Sequence, residues 1–424
     1  MKDRKGMARC GCLKFCGAVA LVMALGFGLL FAAPAGAQSK DPIKIGFVIG
    51  LTGPYGTEAR EQEAAGIMAV EEVNARGGVL GRKVEFLVRD DKLKIDEAAK
   101  RAKELLEKDK VNFLMGGLIN QLVLNEQCKL AKTIFFACTK SNEITQAPDV
   151  SPYTFAEAAN PYILTRAVGP WIFKNLGKKW FMLAADYPWG WQLNEGFRKV
   201  GQELGYTESG MIKHPLGATD YTAYFPKILA AGPDVLILNN FGKDQLNSVK
   251  QAFEFGLKKK MKIVCPVPLI TARLGAGDDA FEDVYGGTTF YWELEKTVPS
   301  ARTFVTSYQK RWGKPPIDYA AYSYSAVRNI MGAVERAGSL DVKKCIQQLE
   351  GYKYDHYKGQ QWFRPWDHRS MQDIFIIKSK PAKDRKGEWD VFQILETVKA
   401  DDRLERSAED LGLKTGVALS SSLK

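Results

Sequence analysis

An α/β fold of two similar lobes, each a parallel sheet flanked by helices, is what this sequence predicts, and three observations predict it. Past residue 40, short apolar runs alternate with amphipathic helical stretches, the pattern of parallel βα units. The alternation pauses at Asn160-Pro161 and then restarts, so there are two βα series rather than one long one. The chain of 424 residues is 46% hydrophobic and 26% charged, enough for two or three domains with real cores and too apolar for a disordered chain.

In chain order, Ile43-Lys44-Ile45-Gly46-Phe47-Val48-Ile49 reads as the first strand, and a helix follows over 59–76, stopped by Gly77-Gly78. A second strand covers 84–88, a helix with a charged face covers 95–108, and short buried strands fall at 113–115 and 134–136. The second series has a strand at 181–185, a helix at 191–204, and strands at 235–238 and 262–265. Helices at 301–311 and 319–337 then lead to strand-rich segments around 360–380 and 388–394. Residues 379–388 are basic and rich in breakers, the mark of a solvated hairpin loop.

The net charge is +11, and residues 1–37 hold five cations against the single acid Asp3, leaving +7 for the remainder. That excess does not indicate a nucleic-acid partner. It suits attraction of small anions at most. Basic residues through Lys14, an apolar run from 17 to 33, and Ala35-Gly36-Ala37 form the three parts of a secretory signal, with cleavage expected near Ala37. The run is short of the ~20 residues that span a bilayer, which disfavours an uncleaved anchor. Cys128, Cys138, Cys265 and Cys345 have no CxxC or metal-ligand spacing, and buried thiols are expected, with a Cys128–Cys138 bridge as the alternative. The three histidines, 214, 356 and 368, are too sparse for a metal or triad argument, so no metal and no cofactor are expected.

Enzymatic motifs do not materialise. Gly53-Pro54-Tyr55-Gly56 lies between strand and helix but lacks the spacing of a phosphate loop. Gly77-Gly78-Val79-Leu80-Gly81-Arg82 follows a helix, where a cap and turn are the fitting role. Asp367-His368 has no nucleophile beside it, and no GxSxG or HExxH occurs. What remains is a set of loops at the carboxyl ends of strands, where open α/β sheets bind ligands. In the first series these are Thr52-Gly53-Pro54-Tyr55-Gly56, Gly116-Gly117-Leu118-Ile119-Asn120-Gln121 and Ala137-Cys138-Thr139-Lys140-Ser141. In the second they are Asp186-Tyr187-Pro188-Trp189-Gly190-Trp191 and Asn239-Asn240-Phe241-Gly242. Amides and hydroxyls on one lobe facing aromatics on the other suit a small ligand clamped between them.

Several features together resemble one family: Gly53-Pro54-Tyr55-Gly56, Glu72-x-Asn74-x-x-Gly77-Gly78-x-x-Gly81-Arg82, Asn142-Glu143-Ile144-Thr145, Asp186-Tyr187-x-x-Gly190, Asp220-Tyr221, Tyr322-Ser323-Tyr324-Ser325-Ala326 and Ala337-Gly338-Ser339. Their order and spacing are similar to those of type I periplasmic substrate-binding proteins of ABC importers, the leucine/isoleucine/valine-binding protein family. The resemblance implies a two-lobed clam shell with three hinge crossovers, here expected near 158–161, 290–296 and 359–363. The divisions that follow are a signal peptide at 1–37, lobe one at 41–159 plus 294–360, lobe two at 160–293 plus 361–400, and a C-terminal tail at 401–424. It also implies a periplasmic binder rather than an enzyme, with permease subunits in the inner membrane as partners. Carried over position by position, the ligand residues are Tyr55, Asn120, Gln121, Cys138, Thr139 and Lys140 on lobe one, with Trp189 and Phe241 as aromatic walls on lobe two.

The chain departs from that family at one telling place. Its amino-acid binders carry a carboxylate just after the strand that ends here at Cys265, whereas this sequence reads Pro266-Val267-Pro268-Leu269-Ile270-Thr271 with no acid before Asp278. Lys140 beside amide donors then points to an organic carboxylate, aromatic or branched. The alternatives are a branched-chain amino acid, with Asp186 or backbone carbonyls holding the ammonium, and a ligand-sensing receptor of the same fold. Intact-mass measurement on exported protein is expected to show a chain beginning at or near Gln38; retention of residues 1–37 would reject the signal.

Overall fold

The computed structural model describes residues 41–423. The signal peptide expected at 1–37 lies outside them. Five parallel strands form the first sheet: β1 (Ile43–Ile49), β2 (Val84–Asp90), β3 (Phe113–Gly116), β4 (Ile134–Ala137) and β5 (Thr154–Ala156), in the order β2-β1-β3-β4-β5. Side chains alternate between two faces, and in β1, β3, β4 and β5 both are buried. Ile43, Ile45, Phe47 and Ile49 enter the large core shared with the helices Gly56–Ala75 and Asp318–Ala337. Val48, Leu114 and Phe135 point the other way, into a smaller core with Ala98, Ala102 and Leu124. This two-sided burial is why the strands read as continuous apolar runs.

The second sheet comprises β6 (Lys179–Ala185), β7 (Thr207–His214), β8 (Val235–Asn239), β9 (Lys262–Val264), β10 (Tyr285–Thr288), β14 (Ile374–Ser379) and β15 (Phe392–Val398), ordered β15-β14-β10-β9-β8-β6-β7. The strands β6 to β10 run parallel, but β14 is antiparallel to β10 and β15 antiparallel to β14, so this sheet is mixed. Residues 380–391 join β14 to β15, which makes the breaker-rich segment a hairpin connection. The edge strand β7 went unread because its Thr-Glu-Ser-Gly start is polar and mostly half-exposed.

A small antiparallel sheet, β11 (Lys353–Tyr354), β12 (Gln361–Phe363) and β13 (Ser370–Met371), sits at the hinge. It corrects one boundary. Arg369 bridges in parallel to Ala156 at the end of β5, and Phe363 packs edge-on against Phe136 and Phe155. Residues 361–371 therefore belong with lobe one, and the third passage into lobe two lies at 372–373 rather than 359–363. The other passages occur at 157–160 and 289–298.

Buried polar groups tie the three passages together. Lys358 Nζ donates to the Thr289 carbonyl at 2.7 Å and to Gln372 Oε1 at 2.6 Å, while Gln372 Nε2 donates to the Glu157 carbonyl at 2.7 Å. His368 stacks on Phe155 at 3.9 Å and bonds to Glu350, and Asp367 pairs with Arg364, so Asp367-His368 is structural. No helix among the described residues is long and apolar enough to cross a membrane.

Cys128, Cys138, Cys265 and Cys345 are free and buried, without a Cys128–Cys138 bridge. Burial raises their thiols, Cys345 to about 11 and Cys138 to about 12. A thiolate is the reactive form. Ellman titration of the chain from Gln38 onward should detect almost no thiol in the native protein and four after denaturation. A rapidly reacting native thiol, or fewer than four in denaturant without reductant, would contradict this packing.

Candidate functional site

The carboxyl ends of the two sheets face each other, and the loops leaving them line one cavity. From lobe one come Tyr55 after β1, Leu118, Ile119 and Gln121 after β3, and Thr139, Lys140 and Ser141 after β4. Tyr187, Pro188, Trp189 and Gln192 follow β6, and Phe241 follows β8. Tyr319 arrives from the first turn of the helix Asp318–Ala337. Gly116 lets the loop after β3 turn: its φ is +121° and a Cβ there would fall 2.1 Å from the Val48 carbonyl oxygen.

Rings from both lobes meet across this space. Tyr55 stands edge-on to Phe241 with centroids 4.9 Å apart, and Tyr319 lies 5.1 Å from Phe241. Trp189 is 6.1 Å from Phe241 and 6.3 Å from Tyr187. The lobes are closed on each other. Thr271 on lobe two donates to Glu58 on lobe one, and the Asn142 amide donates to Gln192 Oε1 at 3.2 Å. The space left between the lobes is about 40 Å³, room for a few waters, so a ligand of ten heavy atoms needs the lobes to separate.

The polar chemistry centres on Lys140. Its ammonium is buried, donates to Asp318 Oδ2 at 3.2 Å, and lies 3.9 Å from the centre of the Tyr319 ring and 5.0 Å from that of Tyr322. Burial pulls its pKa down, against the attraction of Asp318. Burial also pushes Glu58 up to about 7, although its bond from Thr271 acts the other way. Two buried polar atoms on lining residues, Tyr55 Oη and Gln121 Oε1, have no partner among the described residues. Such orphans cost stability unless water or a ligand meets them, so they mark where a polar ligand group would be received. No group of three or more His, Cys, Asp or Glu among the described residues could hold a metal.

Of the residues singled out by sequence, Tyr55, Gln121, Thr139, Lys140, Trp189 and Phe241 line the cavity. Asn120 and Cys138 do not. Asn120 Nδ2 turns to Asp91 at 3.0 Å, and the Cys138 thiol is buried with its sulfur on the Phe136 carbonyl at 3.8 Å. Each sits one position away from a side chain that faces inward. Lys140 is not a free rim cation but half of a buried pair, because Asp318 closes on it from 178 residues away. Asp186 is turned to solvent by Lys213 at 3.0 Å and Trp191 Nε1 at 2.7 Å, which removes it as an ammonium partner. Tyr187 was within reach of sequence reasoning, being in a loop already singled out, whereas Gln192 lies one residue past that loop, in the helix Pro188–Glu203. Tyr319 and Asp318 were out of reach, since nothing local distinguishes a helix start that docks on a distant loop.

The family model described as "Periplasmic binding protein" matches residues 42–386. A "Leu/Ile/Val-binding protein homolog 7" from Brucella abortus is 24% identical over 339 residues, covering 75% of this chain and 82% of its own. A periplasmic binding protein from Burkholderia mallei superposes with a TM-score of 0.80 at 26% identity, over 91% of this chain and all of its own. A solute-binding protein of an ABC transporter from Rhodopseudomonas palustris, crystallised with 3,4-dihydroxybenzoic acid, superposes at 0.76 with 23% identity, over 85% of this chain and 98% of its own.

Two variants probe closure and the wall. Gly242 has φ +57°, and a Cβ on it would stand 2.6 Å from the Tyr55 ring and 2.9 Å from the Pro54 carbonyl oxygen. Gly242→Ala should hold the lobes apart, seen as a larger radius of gyration by small-angle scattering; an unchanged radius would show that this approach does not limit closure. Trp189→Ala should weaken ligand binding about tenfold, since aromatic pairs contribute ~0.5–1.5 kcal/mol each beyond burial, while moving the ligand-free unfolding midpoint little. A large loss of stability with unaltered affinity would make Trp189 core instead.

Proposed function

Since the chain belongs to the periplasmic binding protein family, for which capture of a small solute is the shared task, we propose that it binds an aromatic or branched organic carboxylate in the cleft and hands it to an ABC permease. The observation that carries this is the lining of the cavity: one cation, amide and hydroxyl donors, five aromatic rings and no carboxylate. A planar acid would stack among Tyr55, Tyr187, Trp189, Phe241 and Tyr319. Its carboxylate would take hydrogen bonds from Lys140, Ser141 and Gln121. The Rhodopseudomonas palustris protein that holds 3,4-dihydroxybenzoic acid has the same fold, which makes such a ligand compatible with the architecture.

Binding would proceed by lobe motion. Ligand meets one lobe while the cleft is open, and the second lobe then closes over it, so contacts to both lobes stabilise the closed form. A permease that reads the closed form completes delivery. The family's periplasmic setting and the signal read at 1–37 support export as the route to that place.

A branched-chain amino acid is the second reading, and the Lys140–Asp318 pair favours it. With its charge already balanced, Lys140 offers less to a lone carboxylate, and a zwitterion fits a locally neutral floor better. Paired calorimetry separates the two, with 4-hydroxybenzoate and 4-methylpentanoate set against tyrosine and leucine. The acids should bind more tightly, and Lys140→Met should cost ~1.5–3 kcal/mol, as for a charge-assisted hydrogen bond. Tighter binding of the amino acids, or no effect of Lys140→Met, would overturn the carboxylate reading.

A further inference from the structure

The chain does not stop in lobe two. After β15, residues 399–423 run back over the hinge and finish on lobe one, beyond the stretch matched by the family model. The start of this segment leaves β15 of lobe two and is held at the hinge: the Ala400 amide donates to Asp373 Oδ1 of the third passage at 2.8 Å, and Trp362 Nε1 of the hinge sheet donates to Asp402 Oδ1 at 3.1 Å. Its end is held by lobe one. The Ala147 amide donates to the Leu411 carbonyl at 2.9 Å, the Ser420 amide to Glu350 Oε1 at 2.8 Å, and Lys343 Nζ to the Leu423 carbonyl at 2.6 Å.

Between these ends one carboxylate enters the hinge itself. Glu405 has a fully buried side chain. Its Oε2 accepts from Nδ2 of Asn160, the residue that ends the first passage and caps the lobe-two helix Pro161–Asn175. The same oxygen lies 3.9 Å from Nε of Arg369, whose guanidinium also donates to the Ala158 carbonyl of the first passage and to the Ser141 and Thr145 oxygens of lobe one. Its other oxygen accepts from the Arg406 amide at 2.8 Å. Arg406 in turn reaches Gln146 on lobe one and lies over the Tyr162 ring of lobe two at 5.1 Å.

We propose that residues 399–423 form a strap across the hinge, with Glu405 as its anchor and as a positioning residue for binding: it ties Asn160 to Arg369 and so limits how far the ligand-free lobes open. The physical reason is the cost of a broken anchor. A hinge rotation that separates Asn160 from Arg369 takes from the buried Glu405 carboxylate either the Asn160 amide or the Arg369 guanidinium, and the cost of losing a partner in the interior opposes the motion. Three covalent passages alone would let the lobes swing on backbone torsions. The strap adds a fourth tie that is non-covalent and adjustable, and the hydrogen bonds that anchor it go to residues outside the cavity lining.

Pulsed electron–electron spin resonance on the full mature chain tests this without any ligand. Nitroxide labels go on Leu130→Cys of lobe one and Phe253→Cys of lobe two, both exposed, while the four native cysteines are buried. Glu405→Ala should move the distance distribution toward longer separations and raise the open population several-fold. Glu405→Gln, which keeps the shape and removes the charge, should shift it the same way by less. Arg403→Ala, an exposed strap position, should leave it unchanged. If Glu405→Ala fails to fold, Glu405→Gln alone decides. An unaltered or shorter distribution for the Glu405 variants, even with a lowered melting temperature, would overturn the proposal, as would an equal shift for Arg403→Ala.

Discussion

The cleft depends on one buried ammonium. Lys358 donates to the Thr289 carbonyl of the second passage and to Gln372 of the third, and Gln372 donates to the Glu157 carbonyl of the first. Two sheets that share no strand are thereby kept at one mutual orientation with their carboxyl ends opposed. Burial lowers Lys358 to about 7 and raises Glu157 to about 7, the cost of a polar knot in the interior. It persists because each member is hydrogen-bonded, and a satisfied buried network specifies geometry in a way that apolar contact does not. Once the sheets are opposed, the loops after β1, β3, β4, β6 and β8 have nowhere to go but toward each other.

That opposition explains the division of labour in the site. Lobe one contributes Gln121, Thr139, Lys140 and Ser141 from its loops after β3 and β4, beside the rings of Tyr55 and Tyr319. Lobe two contributes mainly rings, because the loop after β6 begins a helix at Pro188 that places Trp189 on the cavity wall beside Tyr187 and Phe241. Tyr55 crosses the boundary and meets Phe241 and Tyr187, so the two halves share one aromatic cluster only when closed. The closed form is thus favoured by stacking and by the Thr271–Glu58 bond, and the strap and hinge network act on the same equilibrium from behind.

Much of this was legible in the sequence, and the limits have physical causes. The run Ile43–Ile49 could be placed to the residue because both its faces are buried and every position but one is apolar. The strand Thr207–His214 could not, since an edge strand carries polar groups that look like loop. The third passage was set too early because β12 and β13 are only three and two residues long and pair with lobe one through Arg369 and Ala156, a contact across more than two hundred positions. In the site, strand-end loops were found by rule, yet the reading took in one residue too many in two of them, Asn120 beside Gln121 and Cys138 beside Thr139. The partner of Lys140 was out of reach altogether, since Asp318 meets it only through tertiary packing.

The claim at the centre of this account is that one ligand is gripped by both lobes at once. Hydrogen–deuterium exchange, with and without whichever of the four acids and amino acids binds most tightly, tests it directly. The account predicts simultaneous protection of residues 117–121 and 138–142 in lobe one and 187–192 and 240–244 in lobe two. Protection confined to one lobe, or found only away from these loops, would contradict it.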